Sequence, residues 1–187
     1  MSKSLCGRSV FIAICTAVVS FSALGAESVD VHLNTPWRLG DVFKTKPVSA
    51  TARPNSSCKT AEIYVSRIDA GRGSEIGELF AEDGVFLPPN ASVSDALKGR
   101  EAINAWFSRH AKSVKHAIPL SFIDAGSECF MEIAGMLSNN QDGQFHLTAI
   151  DHFTMNAEGE IVRAVYYFRP DTIRAVDAIV AASAKKQ

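Results

Sequence analysis

The sequence has no excess of either charge: 19 Lys and Arg stand against 20 Asp and Glu in 187 residues. That balance excludes the basic stripe with which proteins grip nucleic acid, and no block of like charge marks a solvating tail. Cysteine is scarce, and four in the whole chain are too few for a disulfide-built scaffold. No apolar run reaches the roughly 20 residues of a membrane-spanning helix. Nothing repeats at a period of roughly 20–50 residues, which excludes solenoids and propellers. The five histidines lack the mutual spacing of a zinc site, and no pattern calls for a metal or a cofactor. What is there is a composition 47% hydrophobic and 21% charged. It can bury a core, and the length fits one domain, or one with a small addition.

Residues 1–26 have the order of a secretory signal. Lys3 and Arg8 come first, with no acidic residue; about ten apolar positions follow, from Val10 to Val19; the segment closes on the small residues Ser22, Ala23, Gly25 and Ala26. Cleavage is expected after Gly25 or Ala26, and the apolar middle is short for an anchor. The mature chain is then secreted or periplasmic, without a membrane segment. It keeps 17 basic and 20 acidic residues and, of the cysteines, Cys58 and Cys129. In an oxidising compartment these two either pair or stand as separate buried thiols.

Residues 27–57 carry Pro36, Pro47 and Pro54 among Asn, Ser and Thr, and read as an extended, partly disordered arm. Patterning begins at Cys58. A helix is expected over 58–70, capped by Ser57, with Ala61, Tyr64, Val65 and Ile68 at helical spacing and Gly71 as its stop. A short helix follows Ser74, then a strand over 85–87 ended by Pro88 and Pro89. A polar loop covers 90–98 and a third helix 100–110. Four strands come next, over 116–124, 129–137, 145–155 and 161–169, with Asp142-Gly143 as a hairpin turn. A last helix spans 172–182. Helices first and antiparallel strands after them give an α+β fold with a pocket between sheet and helices.

Three stretches resemble a known family. Tyr64-Val65, Asp69-Ala70-Gly71 and Leu79-Phe80-Ala81-Glu82-Asp83 are similar to the opening of nuclear transport factor 2-like domains. Lys98-Gly99-Arg100-Glu101-Ala102-Ile103 resembles the start of their third helix. Ile150-Asp151-His152-Phe153-Thr154 and the Gly159-Glu160-Ile161-Val162 turn complete the likeness, closest to the SnoaL-like and ketosteroid isomerase branch. The resemblance covers 58–170 and implies a cone-shaped roll. A curved, mostly antiparallel sheet wraps about three helices around an apolar pocket, and homodimers form through the outer sheet face. It also implies an oxyanion hole made by Tyr64 and a protonated Asp151, the arrangement for which ketosteroid isomerase is the standard case. The family's base position falls at Pro88. Proline cannot move a proton, nor can Leu87 or Pro89. Enolisation needs that base, so steroid isomerisation by the family mechanism is not expected.

Strand alternation puts Leu147, Ala149, Asp151 and Phe153 on one face. A carboxyl among such neighbours is desolvated and its pKa rises. Asp151 reads either as a pocket acid or donor or as a structural carboxylate bonded to Tyr64 or backbone. Tyr64 reads as a ligand donor or as a core tyrosine with its hydroxyl satisfied. Phe86, Trp106, Phe153, Tyr166 and Phe168 are the expected lining. His146 and His152 fall on the opposite face, toward a partner or solvent. His110 and His116 flank the exit of the third helix, and Asp95 is the substitute base if its loop folds over the pocket. Asp83 reads as a turn carboxylate, Arg169 as a rim or dimer-edge cation. Asn55-Ser56-Ser57 and Asn90-Ala91-Ser92 fit the glycosylation triplet. Three functions stay open: a carrier of a small apolar molecule; a pocket enzyme (isomerase, dehydratase, cyclase or hydrolase) using Asp151 and Tyr64 as acid and oxyanion donor; and a dimeric adaptor without ligand.

Overall fold

The computed structural model describes residues 42–89 and 91–185; the expected address segment over 1–26, the first part of the arm and Asn90 lie outside the described residues. The order is β1 (Val42–Phe43), α1 (Cys58–Asp69), a 3₁₀ turn (Gly73–Leu79), β2 (Phe80–Leu87), a second 3₁₀ turn (Val93–Asp95), β3 (Leu97–Lys98), α2 (Arg100–His110), a third 3₁₀ turn (Ala111–Ser113), β4 (Val114–Ala125), β5 (Glu128–Leu137), β6 (Phe145–Met155), β7 (Ile161–Phe168) and α3 (Pro170–Ala184). This is the expected α+β architecture. The strands form one seven-stranded sheet in the order β3-β2-β7-β6-β5-β4, with β1 paired to β6.

Local sequence explains most of the boundaries. α1 buries Cys58, Ala61, Tyr64, Val65 and Ile68 along one stripe, and Gly71 takes the positive φ of 71° that ends it. Ser57 does not cap the helix. Its hydroxyl instead lies between Asp124 Oδ1 at 2.8 Å and the Glu128 carbonyl oxygen at 2.9 Å, its one proton shared between these two acceptors, tying the helix start to the β4–β5 turn. The expected second helix is a 3₁₀ turn, and its Gly77 lies so close to α2 that a Cβ there would sit 2.4 Å from the Arg100 carbonyl oxygen. α3 starts earlier than expected, with Pro170 in its first turn, where the missing N–H costs nothing.

β4 to β7 run antiparallel in succession, and β2 joins β7 in parallel, with Phe86 opposite Ala164. Between Ile133 and Ala134 the β5–β6 register shifts by one residue on β6. The alternation counted from Asp151 therefore holds from Phe153 back to Ala149 and breaks before position 147. Such bulges sharpen the twist and bend the strand, and this one bends the sheet around the pocket.

The main core lies between the concave face and the helices, around the fully buried Phe80, Phe86, Phe153, Ile76, Ile103 and Met131. Each such side chain contributes about 1.5–3 kcal/mol by leaving water. A second cluster, Ile118, Ala134, Met136 and Phe145, has Phe43 packed against it. That contact belongs to the described part of the arm, 42–57, which packs on the domain rather than trailing from it. Val42 pairs with His146, Lys46 lies 3.8 Å from Asp69, the Ala50 N–H donates to the Pro119 carbonyl at 2.8 Å, and Ala52 is buried. Cys58 and Cys129 form a disulfide across 71 positions, joining the start of α1 to β5.

Candidate functional site

A cavity opens between α1, the inner faces of β4 to β7 and the first turns of α3. Its cavity volume is about 60 Å³, well below the roughly 300–1,000 Å³ of small-molecule sites, so it must widen to take more than a small group. Its walls are aliphatic: Val65 and Ile68 from α1, Ile133 and Leu137 from β5, Val176 from α3. Among them stand Tyr64, Asp151 and, at the α3 side, Thr172. Among the described residues, no Lys, Arg or His lines it.

Asp151 is brought there by period 2 on β6, opposite Met131 on one side and Tyr166 on the other. It is 1% exposed, and among the described residues its Oδ1 has no hydrogen-bond partner. Burial in this apolar surround pushes its pKa well above the ordinary carboxylate range. An ionised carboxylate is costly there and the neutral acid is favoured. Tyr64 comes from the buried stripe of α1. Burial, and secondarily the nearby Asp151 carboxyl, raises its pKa. Tyr166 responds the same way, to burial first and then to Tyr64 and Asp151. Among the described residues the Tyr166 hydroxyl has no partner in good hydrogen-bond geometry, yet it lies close enough to the Tyr64 hydroxyl for the two to influence each other, the ring centroids 5.8 Å apart. The three groups therefore favour their protonated forms. An acid and a phenol at the cavity wall, with a second phenol behind them, present O–H donors to an acceptor oxygen.

Of the expected site residues, the structure brings Tyr64, Asp151 and Phe168 to this cavity. Phe86, Trp106, Phe153 and Tyr166 do not line it. They fill the interior beside it: Phe86 packs 4.9 Å from Trp106 and 4.8 Å from Tyr166, and Tyr64 lies 5.3 Å from Phe153, centroid to centroid. Aromatic rings gain most by interlocking edge to face, and here they do so with one another. Asp95 is no substitute base for this cavity. It is exposed, it belongs to the Ser92–Asp95 capping box, and its pKa is lowered by the Ser92 hydroxyl. His152 faces away, as alternation implied, and pairs with Glu128 while stacking on Phe130 at 4.2 Å. His116 binds Asp69 at 3.1 Å. His110 stacks on Trp106 at 3.9 Å, and burial lowers its pKa. The lining from β5 and α3 was missed. Its signal was present: Ile133, Gly135 and Leu137 share a parity with Met131, and Thr172 and Val176 stand four apart on a helix.

A family model described as a SnoaL-like domain matches residues 61–164. No curated protein matches the sequence. Among solved structures, a steroid delta-isomerase from Pseudomonas aeruginosa superposes with a TM-score of 0.56 at 16% identity, covering 70% of this chain and 92% of its own. An uncharacterized bacterial protein with a cystatin-like fold, from Silicibacter pomeroyi, gives 0.54 at 20% identity over 69% and 87%. The epoxide hydrolase/cyclase-like enzyme SalBIII, associated with pyran ring formation in the polyether salinomycin, gives 0.51 at 20% identity over 62% and 92%. At such identities the likeness is one of fold.

Proposed function

Because the chain belongs to the SnoaL-like family, we propose that it is an exported protein binding a small, apolar, neutral molecule in the cavity under α1. Tyr64 and Asp151 donate to an oxygen of the ligand. One observation carries this reading: a carboxyl group 1% exposed, one oxygen without a partner among the described residues, at the wall of an apolar cavity. A buried acid left unmatched costs stability, and a ligand acceptor supplies the missing partner. Among the described residues no cation lines the walls, so an anionic ligand would meet no counter-charge there.

Turnover is the second reading, favoured by the same neutral acid. A protonated Asp151 and Tyr64 suit a dehydratase, cyclase, hydrolase or isomerase whose substrate or a water supplies the base. The residue at the family's base position, Pro88, has no proton to exchange. A homodimer fits the outer sheet face, where Tyr167 is 55% exposed on the side opposite Tyr166. The adaptor reading needs only that face and leaves the orphaned carboxyl unexplained.

The test is native mass spectrometry of the gently purified mature protein, beside a Tyr64→Phe/Asp151→Asn double variant that keeps its fold. A small neutral molecule on the wild type and absent from the variant is the expected result. The same molecule held equally by both would refute the donor assignment. Sedimentation of Tyr167→Asp checks the dimer, which is expected to dissociate.

A further inference from the structure

We infer that α3 is a lid: its first two turns cover part of the cavity, and it undocks from the body to widen the cavity for the ligand. The ligand part of this inference rests on the function proposed above; the opening itself does not.

α3 is the element that completes the cavity. Thr172 and Val176, one helical turn apart, line it together with Asp151 and Tyr64. Yet the helix is lightly attached. Of its 15 residues only Ile173 and Val176 are buried, and everything from position 181 to 185 is exposed. Its hydrogen bonds among the described residues stay within the helix or its first turn: Arg169 to Asp171, the Thr172 N–H to Asp171, the Ile173 N–H to the Arg169 carbonyl, Ser183 to the Ile179 carbonyl. Asp177 lies near enough to His110 of α2 to act on it weakly through charge, and no ion pair or side-chain hydrogen bond joins α3 to another element among the described residues. Strands β6 and β7 are locked instead by ladders on both sides.

The connection suits a pivot. Arg169 is extended, with φ −69° and ψ 143°, as a residue before proline must be. Pro170 then stiffens the first turn. The helix therefore moves as one rod about the Phe168–Arg169 junction, and Phe168 is itself part of the cavity wall. Elements held by few buried apolar contacts open independently of the global fold.

Amide hydrogen exchange of the intact protein decides this without any ligand. The burial of two aliphatic side chains corresponds to protection on the order of 10²–10⁴-fold in α3. The amides of β6 and β7 are expected to be protected far more. Ile173→Ala should speed α3 exchange about tenfold or more and leave the strand pattern in place. If α3 amides exchange together with those of β6 and β7, or if Ile173→Ala speeds all of them alike, the helix is a fixed wall and the lid is wrong. Simple fraying from the C-terminus, with the amides of 173–177 as slow as the strands, overturns it equally. The functional arm uses Nile red, a neutral dye with a ring carbonyl. Its association rate should level off at high dye concentration, and Ile173→Ala should raise that plateau; a strictly linear rate refutes gating. Absence of any Nile red binding counts against the pocket reading, while exchange still decides the lid.

Discussion

Asp151→Asn separates a proton-holding acid from an ordinary carboxylate. The substitution keeps the volume of a side chain 1% exposed and removes its titration. Burial raises the carboxyl's pKa in the folded protein, while in the unfolded chain it titrates near about 3.9. Above that pH the folded state binds more protons than the unfolded one. Stability from this group is therefore fully present below the unfolded pKa and is lost as pH rises toward the folded pKa. While the folded carboxyl keeps its proton, the loss is about 1.4 kcal/mol per pH unit. The variant has no such slope. The gap between variant and wild type should widen in the variant's favour by up to about 3 kcal/mol between pH 5 and 7. An offset of about 1–3 kcal/mol from the amide's own unmet hydrogen bonds shifts the whole line and leaves its slope alone. Urea unfolding of both proteins at half-unit pH steps measures the difference, in which every other titrating group cancels. A difference flat from pH 5 to 7 would show that Asp151 ionises normally in the fold, and the donor role would fall with it.

Breaking the disulfide as Cys58→Ser/Cys129→Ser frees a loop of 71 positions and should lower stability by about 4 kcal/mol on the chain-entropy account, read by urea unfolding. A loss under about 1 kcal/mol would show that the unfolded chain is not restrained by this link. Tyr166→Phe removes a buried hydroxyl that has no partner in good hydrogen-bond geometry among the described residues and should leave the melting temperature unchanged or raise it; a clear drop would reveal a bond to that hydroxyl. Gly77→Ala forces a Cβ to within 2.4 Å of the Arg100 carbonyl and should cost about 1–3 kcal/mol through displacement of α2. Full tolerance would mean that the turn and α2 are not in contact.

The long strands were readable because each carries its period over eight or more residues and is bounded by turn residues. Asp142-Gly143 and Gly159 announced two of the turns, and Gly143 and Gly159 take positive φ there. Asp151 was found by the strand period and Tyr64 by helical spacing, each joined to a family likeness. The short strands β1 and β3 were not legible. Two residues carry no period, and both form only because a neighbouring strand offers an unpaired edge. The lining failed for a different reason. An aromatic residue on an inward face signals burial, and burial does not tell whether it meets a cavity or another ring. Phe86, Trp106 and Tyr166 met rings. The prolines and polar residues of the arm suggested an extended, partly disordered segment; in its described part Phe43 and Ala52 are buried or packed against the core clusters, beside the Val42–His146 pairing, contacts its composition does not announce.

That seating sets an order on folding as the chain emerges. Val42 finds its partner in His146, so about a hundred further residues must be made before the first described strand has an edge to join. β2 waits likewise for β7, and Cys58 for Cys129. Contacts so distant in sequence close slowly. Lys46 can meet Asp69 early, but the pairing of β1, the parallel pairing of β2 and the disulfide all wait until well past the middle of the chain, so the described fold closes late and from its far end.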